Sequence, residues 1–95
     1  MITAIVLITA DVDRIPEVAQ EIADLEGVTE VYSVAGDADL IAMVRVREHE
    51  ALADVIADRI SKVGGIKHTE THIAFRTYSK HDLDAAFSLG IDDGD

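Results

Sequence analysis

The sequence predicts an α+β domain of order βαββαβ, in which a four-stranded antiparallel sheet carries two helices on one face and a short C-terminal helix follows. Three observations predict it. Short runs rich in β-branched residues alternate with amphipathic helical runs that end on glycine. A strand–helix–strand unit in the first half of the chain recurs in the second half. The first and third strands are apolar on both faces, as strands covered from two sides are.

The first strand is expected over Met1 to Thr9, with Ile2, Val6 and Ile8 on one face and Ile5 and Leu7 on the other. Asp11 and Asp13 then offer N-cap oxygens, and Pro16 falls in the first helical turn, where its missing N–H costs little. Ile15, Val18, Ala19, Ile22 and Leu25 recur at the spacing of one helical face, Glu17, Gln20, Glu21 and Asp24 take the other, and Gly27 stops the run. A second strand is expected over Val28 to Ala35, with Val28, Tyr32 and Val34 on one side.

The stretch Val34-Ala35-Gly36-Asp37-Ala38-Asp39-Leu40-Ile41 joins the two halves, and its glycine and aspartates are the chemistry of a hairpin tip. Leu40 to Arg47 reads as the third strand, apolar at Leu40, Ala42, Val44 and Val46 on one face and at Ile41 and Met43 on the other. A second helix from Glu48 to Val63 carries the stripe Leu52, Val55, Ile56, Ile60 and Val63, and ends at Gly64-Gly65. Ile66 to Tyr78 is the fourth strand, with Thr69, Thr71, Ile73, Phe75 and Thr77 on one face. Ser79-Lys80-His81-Asp82 resembles a capping box that opens a short helix lined by Leu83, Ala86 and Phe87, and the acidic tail after Leu89 is expected to fray.

Adding 38 to a position in the first half maps Val6 on Val44, Ile8 on Val46, Val18 on Ile56, Ile22 on Ile60, Gly27 on Gly65 and Val28 on Ile66, with no gap. A doubled strand–helix–strand unit is the pattern of the ferredoxin-like split βαβ fold. The expected organisation is one such domain over residues 1–80 and a C-terminal helix and tail over 81–95. With both helices on one side, the other sheet face is open, and its apolar residues call for a homodimer formed by sheet-on-sheet contact.

Composition narrows the functional classes. The 95 residues carry a net charge of −11, with eight Lys and Arg against nineteen Asp and Glu. Nucleic-acid affinity rests on cations that neutralise phosphates, so direct DNA or RNA binding is not expected. Arg45, Arg47, Arg59, Lys62, Lys67, Arg76 and Lys80 are interleaved with acids and form no run. No apolar run is long enough to span a bilayer and no signal-peptide pattern is present. With no cysteine there is neither a disulfide framework nor a thiolate metal site, and a reducing cytoplasm is the expected compartment.

Catalytic signatures are not found. Ser33, Ser61, Ser79 and Ser88 lie in no nucleophile motif, and the glycines lack the spacing of a phosphate loop. His68, Glu70 and His72 alternate along one strand, but positions two apart are separated by nearly ~7 Å, too far for all three to hold one ion. Neither a metal nor a cofactor is expected. The remaining candidate is the hairpin: an amino acid needs backbone N–H groups for its carboxylate and a fixed carboxylate for its ammonium, and a Gly-Asp-x-Asp tip offers both. Thr69 and Thr71 add hydroxyls.

The hairpin Gly36-Asp37-Ala38-Asp39, the helix that follows, and Gly64-Gly65-Ile66-Lys67-His68-Thr69-Glu70-Thr71-His72-Ile73 resemble the effector-binding domain of the Lrp/AsnC transcriptional regulators, the RAM (regulation of amino acid metabolism) domain. The resemblance covers the chain up to Lys80. It implies a ferredoxin-like fold, dimers through the open sheet face and association of four dimers into an octamer. It further implies effector pockets between dimers, lined by the hairpin and the fourth strand. Carried over by position, Gly36, Asp37 and Asp39 match the hairpin and Thr69 and Thr71 the strand, with Asp39 facing the effector's amino group.

Two departures stand out. Full-length members carry a helix-turn-helix ahead of this domain, whereas here the first strand begins at Met1, so a stand-alone version is expected. Many members place an aromatic where Ala38 or Leu40 stands, which changes the shape of the pocket. The expectation is therefore a small-effector-binding and oligomerisation module that modulates transcription indirectly, through a DNA-binding relative, and performs no chemistry. The alternative is a small dimeric ferredoxin-like enzyme such as a cofactor-independent oxygenase, because fold does not fix function.

Overall fold

The computed structural model describes residues 1–78 and Lys80, so the proposed capping box and the C-terminal helix lie outside the described residues. Strands β1 (Ile2–Ala10), β2 (Val28–Ser33), β3 (Leu40–Val46) and β4 (Ile66–Ala74) form one antiparallel sheet in the order β2-β3-β1-β4. Helix α1 (Ile15–Ala23) joins β1 to β2, and a helical segment over residues 49–62 joins β3 to β4. This is the ferredoxin-like arrangement.

β1 is the spine, hydrogen-bonded to β3 on one side and β4 on the other. Its alternate residues Ala4, Val6, Ile8 and Ala10 are buried, and across the ladder Ala4, Val6 and Ile8 face Val44, Ala42 and Leu40 of β3. Val18 and Ile22 of α1 and Leu52, Val55 and Ile60 of the second helical segment close over them. Ile8, Ile22, Leu40 and Ile60 have no accessible surface, and burying each contributes about 1.5–3 kcal/mol. The other face of β1 and β3 presents Ile5, Leu7, Ile41 and Met43, all only half-buried, so apolar surface lies on the open side of the sheet.

Three local features differ from the sequence reading. Neither Asp11 nor Asp13 caps α1 through its side chain. The chain enters by a 3₁₀ turn over Val12–Arg14, in which the Arg14 N–H donates to the Asp11 carbonyl at 2.9 Å, so backbone takes the place of the carboxylates. Pro16 does stand in the first turn of the helix. In β2, Val28 opposes Val44 but Glu30 opposes Met43, a β-bulge that adds one residue. The phase shifts by one beyond it: Val31 packs on the core, while Tyr32 turns to the open face. β4 leaves the sheet after Ala74, and Phe75 is almost fully exposed.

The duplication survives in the backbone. Gly27 and Gly65 follow the two helical segments with φ of +97° and +98°. A Cβ on Gly27 would stand 2.6 Å from Val55 Cγ2, and one on Gly65 would stand 2.9 Å from Val18 Cγ2, so each glycine lies against the other half's helix. The equivalence is shifted at one point, because the partner of Val18 under the offset is Ile56, yet Val55 makes the contact. Ile22 and Ile60 are both buried and keep the offset. The second segment thus fits five residues where α1 fits four. The excess is absorbed by its winding: α-helix over His49–Ala53, i→i+5 (π-type) over Asp54–Arg59 and a 3₁₀ turn over Ile60–Lys62.

Candidate functional site

The hairpin is closed by the Val34 N–H donating to the Asp39 carbonyl at 3.0 Å, which leaves residues 35–38 as the tip. Gly36 sits there with φ +144° and open space around it, a backbone conformation that a side chain would strain. Asp39 is tied down twice. Its N–H donates to the Ile8 carbonyl at 2.9 Å, extending the β3–β1 ladder by a residue, and its Oδ2 accepts the Ala10 N–H at 2.9 Å.

That second bond has a local cause. The β1–β4 register slips between Thr9 and Ala10: Thr9 opposes His68, whereas Ala10 opposes Ile66. Ala10 is 2% exposed, and a buried N–H without a partner costs roughly 1–3 kcal/mol, so the Asp39 carboxylate holds this corner together. An aspartate that reads as turn chemistry in the sequence is a cross-strand fastener in the fold.

The other predicted residues divide between the two sheet faces. Thr69 and Thr71 oppose Ile8 and Val6 and share the face that carries the helices. Asp37 lies on the other side, where it lines a hollow of about 130 Å³ with Leu7, Thr9, Ala38, His68 and Glu70. One subunit therefore brings Asp37 to His68 and Glu70 and does not bring it to the two threonines. On the same open face His72 Nε2 stands 2.8 Å from Glu70 Oε2, both side chains more than half exposed. Among the described residues no three His, Asp or Glu side chains are grouped to hold a metal ion. Tyr32, also on this face, has its phenol pushed above the ordinary tyrosine value, first by hydrogen bonding to the Glu30 side chain, with the positive charge of Arg45 opposing.

A larger cavity, about 380 Å³, opens at the opposite end of the sheet, where β3 finishes and β1 begins. Its wall includes Arg45, Arg47 and Arg59. In the sequence these cations are interleaved with acids, and Arg59 lies a helix away from the other two. Strand alternation puts the Arg45 side chain on the open face with Met43 and Tyr32, so no sequence signal gathers the three into one site.

Fold and geometry define the class first: a ferredoxin-like α+β sandwich with one sheet face left uncovered by its own helices and a carboxylate-bearing hairpin at its edge. The model of the Lrp/AsnC ligand binding domain matches residues 3–83, and the chain belongs to that family. TTHA0845 from Thermus thermophilus has a similar structure, with a TM-score of 0.79 and 45% identity, covering 84% of this chain and 100% of that one. E. coli AsnC, 24% identical, shares the fold with a TM-score of 0.77 over 82% of this chain and 53% of that chain. The uncharacterized HTH-type transcriptional regulator PH1916 of Pyrococcus horikoshii is 37% identical over 78 residues, which are 79% of this chain and 52% of that protein. This chain spans about half the length of the curated relatives it matches, which are named as transcriptional regulators. Among the described residues no helix is long and apolar enough to cross a membrane.

Proposed function

We propose that this chain is an amino-acid-sensing and assembly module of the Lrp/AsnC family, acting in the cytoplasm on transcription together with a DNA-binding relative. The match to the family's ligand binding domain, which runs through both the hairpin and β4, carries the reading. The geometry supports it in two ways. Asp39 is held rigidly through Oδ2, so its Oδ1 meets an ammonium without first being ordered. Asp37 and the pair Thr69 and Thr71 occupy opposite sheet faces, so an effector that touches both sets is shared between copies of the chain. Dimers form through Ile5, Leu7, Ile41 and Met43, and four dimers make the ring in which hairpins meet β4 strands.

Titration calorimetry against the common amino acids tests the binding, and light scattering tests the assembly. Asp39→Asn keeps an acceptor for Ala10 but removes the charge, and is expected to abolish the heat of binding while the fold is retained. Unchanged heat in that variant removes Asp39 from the site. A clean monomer at micromolar concentration would overturn the dimer, and no binding of any amino acid at millimolar concentration would overturn the sensing role.

A further inference from the structure

We infer that the open face of the sheet is a pH-sensitive interface: His68 and His72 take up protons when two copies of the chain close face to face, so self-association tightens as pH falls. This rests on the dimer proposed above and adds its regulation. A second copy is the occupant that the face fits. Ile5 pairs with Met43 and Leu7 with Ile41 on the two central strands, so these four side chains form an apolar block at the middle of the sheet. A two-fold axis through that middle lays the block on itself, and the charged residues fall around it as a polar rim.

The rim is unbalanced. Among the described residues, β2 contributes Glu30 and Tyr32, opposite Met43 and Ile41, and β3 contributes Arg45, opposite Thr3. β4 contributes His68, Glu70 and His72, opposite Thr9, Leu7 and Ile5, while β1 itself carries no charged residue. Asp37 of the hairpin reaches the hollow that His68 and Glu70 line, and Lys67, next to His68 in the chain, alternates away from it. With both histidines neutral, the three carboxylates Glu30, Asp37 and Glu70 face the one guanidinium of Arg45. Protonating both histidines brings the face to balance.

Each histidine has a carboxylate at hand. His72 Nε2 stands 2.8 Å from Glu70 Oε2, and His68 shares its hollow with Asp37 and Glu70. In the free subunit His72 and Glu70 are more than half exposed, so water screens the pair and the proton gains little. Closing a second copy over the face removes that water. Unpaired carboxylates then cost more, and the attraction between imidazolium and carboxylate grows as the local dielectric falls. Protons are therefore held more tightly in the dimer than in its subunits. By linkage, association is strongest below the histidine range and weakens as pH rises through it. β4 brings two of the chain's four histidines to this face, whereas His49 stands at the start of the second helical segment.

Fluorescence-detected sedimentation of the full chain, from nanomolar to micromolar concentration at constant ionic strength, tests this at about pH 6 and about pH 8. The dimer Kd is expected to be about tenfold lower at the acidic value, which corresponds to an average uptake of about half a proton per dimer. H68Q/H72Q, altered at two side chains that are exposed in the free subunit, keeps the fold and is expected to hold Kd within about twofold between the two conditions. H72Q alone is expected to lose part of the change. H49Q removes a titrating group away from the face and is expected to keep the full change, which separates this interface from general relief of the net charge of −11. A monomer at every pH overturns the dimer and this inference together. A dimer whose Kd is the same at both values or tightens as pH rises, or a pH dependence that survives in H68Q/H72Q or is lost equally in H49Q, overturns the pH response alone.

Discussion

The two ends of the sheet are built by opposite means. At the hairpin end, Gly36, Asp37 and Asp39 are contiguous in the chain, and one aspartate is bound to backbone on a neighbouring strand. At the other end, the polar groups come from the end of β3, the turn between α1 and β2 and the π-type turn, segments far apart in the chain that meet only when the helices pack. The hairpin end is acidic and its shape is set by local turn chemistry. The other end mixes arginines with Glu26 and Asp54, and its shape is set by packing. A contiguous site announces itself in a sequence; a composite one does not.

Several substitutions would break or sharpen this contrast. The largest effect is expected from Gly27→Ala at the arginine end, which meets both a φ of +97° and a contact of 2.6 Å with Val55. A loss of about 2–4 kcal/mol in urea unfolding follows from the strain and overpacking. Its duplicate Gly65→Ala meets Val18 Cγ2 at 2.9 Å and the movable Arg14 side chain, and should lose less. Equal losses would mean that the tighter packing of the second helical segment has no energetic consequence.

Next comes Asp39→Ala, which leaves the buried Ala10 N–H unpaired and should cost about 1–3 kcal/mol, whereas Asp39→Asn should cost well under half of that. The same melting experiment on both variants separates the fastener from any role in binding. Arg59→Ala removes one hydrogen bond to the Glu26 carbonyl and is expected to cost only about 0.5–1.5 kcal/mol. A much larger loss would mean that Arg59 also holds the second helical segment against the turn at Glu26.

The smallest effect concerns the open face. Because Glu30 raises the Tyr32 pKa, Glu30→Gln should bring Tyr32 ionisation, followed by ultraviolet absorbance, back toward its ordinary value. The sign follows from linkage: the neutral phenol's bond to Glu30 contributes below the unfolded tyrosine value and is lost as pH rises through the raised one. Titration unchanged by the substitution would show that the two side chains do not meet.

Most of the fold was legible because its signals are local. The alternation in β1 and β3, the stripe of α1, the terminating Gly27 and Gly65 and the offset of 38 all follow from what neighbouring residues bury. The errors share one cause. The phase of β2 failed at a single extra residue, the aspartate caps were displaced by a 3₁₀ turn, and the expected regular second helix is partly π-wound. Each depends on how an element seats against its neighbours.

For the candidate site the division is similar. The hairpin residues were visible as turn chemistry, and their family resemblance follows from the same stretch. The separation of Asp37 from Thr69 and Thr71 was not visible, because face assignment on β4 depends on its register with β1.

The amino-acid sequence alone determined the order of elements, the duplicated βαβ plan and an open sheet face in need of cover, because periodicities of two and 3.6 residues are written in consecutive side chains. Only the tertiary structure decided that Asp39 ties β3 to β1, that Tyr32 faces outward, and that the end of β3 and the π-type turn line one cavity. Bulges, register slips and helical winding are settled by which segments pack together, and no single segment carries that information.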